Sequence, residues 1–184
     1  MELYKKQSYE SYMTAQTNAN LKKINNVWVQ REDIEKIHQV VETAESIICH
    51  GTRRGVEQQY FKEFFSNAYI IGTEISHTAK KFPNTIQHDF HEVKPEWIEK
   101  FDILYSNSFD HTYDPNKCLD VWTQQIKPNG YIIIDFSLRK NVNPVDCLYL
   151  SPTEAIDLMK TKNIDVIETY NTNQNSFMFI GKKI

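Results

Sequence analysis

Residues 47–57, which read IICHGTRRGVE, form the stretch of sequence that decides the fold. An apolar run enters this stretch, Gly51 can turn the chain sharply, and a segment with helical periodicity leaves it after Gly55. The pattern predicts a buried strand, a tight turn and a helix. The chain has only 5 glycines, and Gly51, Gly55 and Gly72 fall in this region, which indicates that backbone shape matters there.

The same alternation of strand and helix continues outward from this stretch. Helices are predicted over 8–21, 31–45, 54–66 and 95–100, with further helix starts at Ser76, Asp114 and Ser151. Strands are predicted over 46–49, 68–72, 85–88, 101–105 and 131–136, the last after a turn at 127–130. A closing hairpin, 164–170 and 176–181, flanks a polar turn at 171–175. Repeated βα units predict an α/β fold in which a mostly parallel sheet carries helices on both faces.

The length of 184 residues and the hydrophobic content of 40% suit one domain. Within it, residues 1–45 are predicted to be a helical extension, which either packs as ordinary helices or covers the site as a lid, and residues 46–184 the cofactor-binding core. Ligands of parallel sheets bind beyond the carboxyl ends of the strands. We therefore expect the loops after Cys49, Gly72, His88, Tyr105 and Phe136 to form the functional rim.

An acidic residue stands at the tip of the second predicted strand. Glu74 lies 23 residues after Gly51, where a carboxylate can accept hydrogen bonds from ribose hydroxyls. The GxGxxG fingerprint is absent, because two arginines stand between Gly51 and Gly55. S-adenosylmethionine has no phosphate and needs less of a glycine cradle, so the loop favours this cofactor over NAD. The alternative is an ordinary strand–helix turn with Glu74 on the surface.

The order of these motifs resembles the class I S-adenosylmethionine-dependent methyltransferase superfamily over residues 46–181. The resemblance rests on HGTRRG at 50–55, TEI at 73–75, QHDF at 87–90, FDILYSNS at 101–108 and PNGY at 128–131. It implies a Rossmann-like, mostly parallel sheet of seven strands with a C-terminal antiparallel hairpin, and S-adenosyl-L-methionine as the cofactor.

The resemblance also implies roles for single residues. Gly51 would contact the amino-acid part of the cofactor, Glu74 the ribose and Asp89 the adenine amine, while Asn107 would line the site. Arg53 and Arg54 depart from the glycine-rich pattern of the superfamily and face either the cofactor carboxylate or solvent. The implied cofactor-binding residues are His50, Gly51, Thr52, Arg53, Glu74, Ile75, Asp89, Phe90 and Asn107.

The candidate chemistry lies after the fourth predicted strand, where residues 105–114 combine acids, a histidine and tyrosines. Histidine can take up a proton near neutral pH, so His111 is the candidate general base, with Asp110 orienting it or the substrate. Tyr12, Gln16, Ser108 and Tyr113 are the candidate substrate-binding residues. The alternative for Asp110 and His111 is a structural polar loop. A metal site built from His88, Asp89, His91 and Glu92 is disfavoured, because alternating strand geometry separates the first two side chains.

Composition narrows the class of partner. The formal net charge of -3 lacks the basic excess typical of nucleic-acid-binding proteins, so a nucleic-acid partner is not expected. No stretch approaches the roughly 18 apolar residues that a membrane helix needs. Three widely spaced cysteines form no CxxC pair, which indicates a reducing compartment and predicts a cytoplasmic protein. The oligomeric state has no signature in the sequence.

The sequence therefore predicts an S-adenosylmethionine-dependent methyltransferase acting on an oxygen or nitrogen atom of a small-molecule substrate. Two alternatives stay open at this point. One is an NAD-type oxidoreductase, which the missing GxGxxG and the closing hairpin disfavour. The other is a non-catalytic relative of the fold that binds a cofactor or a protein, since a fold does not dictate a function.

Overall fold

A computed structural model of the chain describes residues 1–172 and 175–184. Five α-helices and nine strands are present in this part of the chain. The helices are α1 (Tyr9–Lys22), α2 (Arg31–Val40), α3 (Val56–Phe64), α4 (Pro115–Gln125) and α5 (Pro152–Lys160). The strands are β1 (Glu2–Leu3), β2 (Ser46–His50), β3 (Tyr69–Glu74), β4 (Thr85–Gln87), β5 (Phe101–Ser106), β6 (Ile126–Ser137), β7 (Leu148–Tyr149), β8 (Ile164–Thr172) and β9 (Ser176–Lys183).

Seven of the strands form one mixed sheet in the order β4-β3-β2-β5-β6-β9-β8. The first five strands of this order run parallel to one another, and β9 pairs antiparallel with both β6 and β8. The chain moves from β2 toward β4 on one side and then returns to place β5 on the other side of β2. The carboxyl ends of β2, β3 and β5 therefore meet at the topological switch point. This architecture confirms the predicted fold class.

Helices cover both faces of the sheet, and each face has its own hydrophobic cluster. On β2, Ile48 packs into the cluster that contains Trp122 of α4, whereas Ile47 packs into the cluster that contains Phe61 of α3. All four of these side chains are fully buried. Successive strand residues point to opposite faces of a sheet, so a strand covered on both faces reads as a continuous apolar run.

Three of the predicted helix starts, at Ser8, Asp114 and Ser151, are confirmed by their caps. The Ser8 and Ser151 hydroxyls accept from the backbone N–H groups of Ser11 and Glu154, and both helices carry a complete capping box. The Asp114 carboxylate accepts from the backbone N–H of Lys117, and Pro115 occupies the first turn of α4. These caps satisfy N–H groups that have no partner within the helix, which is why Ser and Asp before an apolar run predict a helix start.

Several predicted boundaries are wrong. Helix α2 ends at Val40 instead of continuing to 45, and the predicted helix at 95–100 is only a 3₁₀ turn, Pro95–Trp97. Residues 127–130 form an irregular excursion inside β6 instead of a turn before it, because β5 pairs first with Ile126 and then with Tyr131.

Three further features concern the strand β1, the predicted turn at 171–175 and the character of the helices. The short pairing of β1 with β7 has no signal in the sequence. The middle of the predicted turn at 171–175 lies outside the described residues. Among the described helices, none combines the length and the apolar character that crossing a membrane requires.

Candidate functional site

The predicted turn after β2 is built on Gly51, which has a φ of 74°. A Cβ at this position would lie 2.6 Å from both Cβ and Oγ of Ser108, which follows β5. The Ser108 hydroxyl donates to the Gly51 carbonyl at 3.2 Å. Glycine is therefore required twice, by the left-handed backbone and by the close approach of the neighbouring loop.

Arg53 stands at the middle of the same turn and has a φ of 49°, an uncommon conformation for a residue with a side chain. Its guanidinium donates to the backbone carbonyl of Asn26 at 3.0 Å. Burial lowers the pKa of Arg53, and the nearby Glu57 and Glu74 carboxylates oppose that shift. The loop that precedes α2 thus holds this arginine at the rim of the sheet.

Glu74 is the last residue of β3, as the sequence predicts, and is only 7% exposed. Its Oε1 accepts from the backbone N–H of Ser76 at 2.9 Å. Burial raises the pKa of Glu74. The carboxylate lines a narrow cavity at the switch point, so Glu74 is not the solvated surface acid of the alternative interpretation.

Asp89 lies after β4 and is held from two sides. Its Oδ1 accepts from the backbone N–H of His91 and lies 2.7 Å from Nδ1 of that ring, and its Oδ2 accepts from the Tyr9 hydroxyl at 2.8 Å. Burial acts to raise the pKa of Asp89, but the hydrogen bonds from His91 and Tyr9 outweigh it and the net pKa is lowered. Asp89 is therefore an ionised acceptor, and one of its oxygens is covered by α1.

The buried side of α1 is polar, and it closes the narrow cavity. Tyr12, Gln16 and Asn20 recur at intervals of four residues and are all buried. Asn20 Oδ1 accepts from the Thr78 hydroxyl at 3.1 Å. A helix that packed only against an apolar core would bury an apolar stripe. A buried polar stripe indicates that α1 covers a polar site.

The narrow cavity has a volume of about 50 Å³. It opens beside a wide cavity of about 420 Å³. Residues shared by both walls are Lys23, Gly51, Arg53, Ser108 and His111.

Two buried acids of the wide cavity were not predicted. Glu57, in the first turn of α3, is 7% exposed, and burial raises its pKa to about 7. Its Oε1 accepts from the Asn107 amide at 3.3 Å, while its buried Oε2 has no hydrogen-bond partner among the described residues. Burial raises the pKa of Asp135 on β6 to about 6. The sequence features that could have indicated them are an acid two residues after Gly55 and a single acid in the apolar run 131–136.

His111 lies where the two cavities meet. Its Nδ1 is 3.0 Å from Gln16 Oε1, and its Nε2 is 3.7 Å from Asp110 Oδ1 and 3.9 Å from Asp146 Oδ1. The expected orienting contact from Asp110 is thus longer than a hydrogen bond, and Gln16 makes the orienting contact instead. Burial raises the pKa of Asp110.

Most of the predicted site residues come together around the two cavities. The narrow cavity is lined by Tyr12, Gln16, Gly51, Arg53, Glu74, Ile75, Asp89, Phe90, Ser108 and His111. The wide cavity adds Thr52, Asn107 and Asp110.

Two predicted residues lie elsewhere. The ring of His50 is buried between Thr73 Oγ1 at 2.7 Å and Gln125 Oε1 at 2.8 Å, so only its backbone faces the turn. Burial lowers the pKa of His50 to about 3. Tyr113 packs against the rings of Tyr12 and His91 and borders neither cavity.

The disfavoured metal group at 88–92 does not converge on one point. His91 bonds Asp89 and the Thr112 hydroxyl through its two ring nitrogens, and His88 Nε2 lies 3.0 Å from the Glu92 carbonyl. A different set, Asp110, His111 and Asp146, places one potential ligand atom each within 4.8 Å of the others.

Comparison with known proteins identifies the fold. No protein-family model and no curated protein sequence matches the chain. Among solved structures, the 1,6-didemethyltoxoflavin-N1-methyltransferase of Burkholderia thailandensis, solved with that molecule and S-adenosylhomocysteine, superposes with a TM-score of 0.78. The match covers 97% of this chain and 92% of that chain at 13% identity.

Two further structures are similar. A complex from Haloferax volcanii that includes the Trm112 methyltransferase activator contains a chain that matches with a TM-score of 0.70 at 13% identity, over 97% of this chain and 99% of that chain. The N-methyltransferase NodS of Bradyrhizobium japonicum, solved with S-adenosylhomocysteine, matches with a TM-score of 0.68 at 10% identity, over 91% and 98%.

The chain therefore has the Rossmann-like fold of the class I S-adenosylmethionine-dependent methyltransferases. S-adenosylmethionine is the cofactor of this fold, since similar solved structures contain S-adenosylhomocysteine, which is its demethylated product.

Proposed function

We propose that this chain is an S-adenosylmethionine-dependent methyltransferase that acts on an oxygen or nitrogen atom of a small molecule in the cytoplasm. The observation that carries the proposal is the convergence of the Gly51 turn, Glu74 and Asp89 on one cavity at the switch point of the sheet. Each comes from the end of a different strand, and each supplies the group that a different part of the cofactor needs.

The residues present fit this cofactor. Oε1 of Glu74 already accepts from the backbone N–H of Ser76. The second carboxylate oxygen of Glu74 is therefore the one that can accept hydrogen bonds from ribose hydroxyls. Asp89 and Phe90 suit the adenine end, where an ionised acceptor and an apolar ring are both useful. At the other end, Arg53 and Glu57 offer opposite charges to the carboxylate and ammonium of the amino-acid part. The unpartnered Oε2 of Glu57 supports this assignment.

Methyl transfer from this cofactor requires little covalent chemistry from the protein. The bound cofactor supplies a methyl group that is already activated by a positive sulfur. The chain has to align the acceptor, exclude water and remove a proton where the acceptor carries one. His111 is the proposed base, because it lies between the two cavities with Nε2 directed at carboxylates and away from Gln16. We propose Tyr12, Gln16 and Ser108 as residues near the acceptor.

The setting of the site supports a small acceptor. The wide cavity has a volume of about 420 Å³, within the range of roughly 300–1,000 Å³ typical of small-molecule sites.

The three cysteines are free and buried, which suits a reducing compartment such as the cytoplasm.

Isothermal titration calorimetry with S-adenosylmethionine, S-adenosylhomocysteine and NAD tests the proposal. We expect the first two to bind and NAD to give no heat above dilution. Glu74→Ala should weaken binding of S-adenosylhomocysteine at least about tenfold, because a buried pair of hydrogen bonds to a charged group is lost. Glu63→Ala, which removes an exposed acid on α3, is the matched control. Binding of NAD in place of the methyl donor would assign the site to the oxidoreductase alternative.

A further inference from the structure

Three acceptor atoms converge on one wall of the wide cavity. Asp110 Oδ1 and Asp146 Oδ1 lie 3.7 Å and 3.9 Å from Nε2 of His111. We name Asp110, His111 and Asp146 the acceptor cluster. These separations exceed the roughly 2.7–3.2 Å of a direct hydrogen bond, so the three atoms do not bond one another. One potential ligand atom of each residue lies within 4.8 Å of the others, and all three residues line the wide cavity.

Lys23 only partly offsets the charge of this cluster, because it lowers the pKa of Asp110 by less than burial raises it. Asp110 Oδ1 is shut off from solvent and has no hydrogen-bond partner among the described residues. Within residues 1–172 and 175–184, no lysine or arginine nitrogen lies within 4.0 Å of the carboxylate of Asp110 or of Asp146. The basic side chain within that distance of both carboxylates is His111. A buried carboxylate without a partner is costly, and burial accordingly raises the pKa of Asp110. A cationic ligand would remove this cost.

The geometry around Gln16 fixes which nitrogen of His111 is free. The Gln16 amide Nε2 donates to the Val145 carbonyl at 2.8 Å, which directs Oε1 toward His111. Because a carbonyl oxygen only accepts, Nδ1 of His111 must carry the proton of the neutral ring. Nε2 is then an unprotonated acceptor that faces the carboxylates of Asp110 and Asp146.

We propose that the acceptor cluster binds the methyl acceptor as an ammonium ion, so the substrate class is a primary or secondary amine. This inference rests on the proposed function, because it names the substrate of the same site. An ammonium group carries up to three N–H donors, and the cluster presents two carboxylate oxygens and one imidazole nitrogen. The amine then gives one proton to Nε2 of His111 and becomes nucleophilic.

The group transfer balances with the groups named. The neutral amine attacks the methyl carbon of the sulfonium, the new nitrogen–carbon bond forms as the carbon–sulfur bond breaks, and the electron pair of that bond stays on sulfur. The products are a methylated ammonium ion, a neutral thioether and a protonated His111, which returns its proton to solvent.

The charge of the cluster selects an amine over an alcohol. An alcohol acceptor develops negative charge as it loses its proton, and the neighbouring carboxylates of Asp110 and Asp146 would raise the energy of that charge. An amine enters as a cation, regains positive charge on its nitrogen as it attacks, and leaves as a cation, so the same carboxylates stabilise the bound substrate, the transition state and the product. One histidine and two carboxylates are also a ligand set for a divalent metal ion, and this alternative is an outcome of the test.

A pair of probes of equal shape tests the inference. We would titrate 2-phenylethylamine and 2-phenylethanol into the protein by NMR and follow the ring signals of His111, with and without S-adenosylhomocysteine. The amine should bind at least about tenfold more tightly than the alcohol, as charge-assisted hydrogen bonds require. Asp110→Asn and the half-exposed Asp146→Asn should each reduce this preference severalfold. Asp157→Asn, an exposed acid on α5, should keep it.

The outcomes separate the two proposals. If S-adenosylhomocysteine binds but amine and alcohol bind equally, the amine inference is wrong and the proposed function stands. If the amine preference persists in both Asp→Asn variants, the cluster is not its origin and the inference is again overturned. Tight binding of Mn²⁺ alone that both variants abolish, without an amine preference, would assign the cluster to a metal ion. Loss of binding of every cofactor form would overturn the proposed function itself.

Discussion

Gln16 Oε1 lies 3.0 Å from Nδ1 of His111, so a residue of the N-terminal helix orients the proposed base. The two residues are 95 positions apart in the chain. The same amide donates to the Val145 carbonyl, so Gln16 joins α1 to two rim loops of the sheet. This arrangement couples the closure of α1 to the tautomer of the histidine.

The first prediction concerns this coupling. Gln16→Met keeps the length of the side chain but removes the acceptor for Nδ1–H. Wild-type His111 should show one neutral tautomer, protonated at Nδ1, and the variant should show a mixture of both. Long-range ¹H–¹⁵N spectra of the imidazole distinguish the two forms. If an acceptor has been identified, turnover should fall roughly tenfold or more, since general-base catalysis is worth about 10²–10⁴.

Gln124→Met is the matched control, because Gln124 is an exposed glutamine on α4. It should leave the His111 tautomer unchanged. A single Nδ1–H tautomer that persisted in Gln16→Met would show that another group sets the protonation of the ring.

The second prediction concerns the contact between Gly51 and Ser108. Gly51→Ala should destabilise the protein by about 1–3 kcal/mol, because the new methyl meets Ser108 Cβ and Oγ and the φ of 74° disfavours a side chain. Ser108→Gly removes both clashing atoms. The double variant should therefore recover part of the loss, and the remainder should equal the backbone strain of alanine at that φ. Urea unfolding of the four proteins measures the coupling.

Additive effects of these two substitutions would contradict the close approach. Ser66→Gly, which shortens an exposed serine beyond the end of α3, is the control for the effect of a serine-to-glycine change. It should give no rescue when combined with Gly51→Ala.

The third prediction concerns the closure of α1 over the site. A cavity of about 50 Å³ is too small for a nucleoside, and the Tyr9 hydroxyl occupies one oxygen of Asp89. Cofactor binding at Asp89 therefore requires α1 to move. Tyr9→Phe removes the hydrogen bond and should speed association of S-adenosylhomocysteine by about threefold to tenfold, because a net hydrogen bond is worth about 1 kcal/mol. Stopped-flow fluorescence measures this rate.

Hydrogen exchange gives an independent measurement of the same motion. Amides of α1 should exchange faster in Tyr9→Phe, whereas those of the core strand β5 should not change. Tyr60→Phe, on α3 away from Asp89, is the control and should alter neither quantity. An unchanged association rate in Tyr9→Phe would mean that opening of α1 does not limit cofactor entry.

The sequence predicted those parts of the site that depend on the order of secondary structure. Gly51 and Glu74 lie at the carboxyl ends of successive strands, and a parallel sheet brings such positions together whatever the conformation of the loops. The polar residues of α1 were also predicted near the site, as Tyr12 and Gln16. Tyr12, Gln16 and Asn20 share one side of α1 because they recur at intervals of four residues.

Other parts of the site depend on side-chain direction, which the strand order does not determine. His50 belongs to the predicted glycine loop, but its ring points into the core and stacks on Trp122. Asp146 lies near His111 because of a turn in which Asn143 Oδ1 accepts from the backbone N–H groups of Val145 and Asp146. The amino-acid composition does not predict this local geometry. Glu57 and Asp135 were missed because a single acid in a helix or strand is ordinarily exposed.

The fourth prediction concerns the buried acid Glu57, whose pKa burial raises from an ordinary 4.5 to about 7. Between these two values the folded protein binds more protons than the unfolded chain, so stability falls as the pH rises through this window. Glu57→Gln removes the cost of burying the charge. The variant should match the wild type near pH 5, where the protonated carboxyl and the amide are isosteric, and exceed its stability near pH 8 by on the order of 2 kcal/mol. Asp135 titrates in a similar range but is present in both proteins, so its contribution cancels.

Urea unfolding at both pH values measures the difference, with the exposed Glu35→Gln as control. A stability difference that did not grow with pH would mean that Glu57 is ionised at little cost, which would contradict the interpretation of its Oε2 as a buried oxygen without a partner among the described residues.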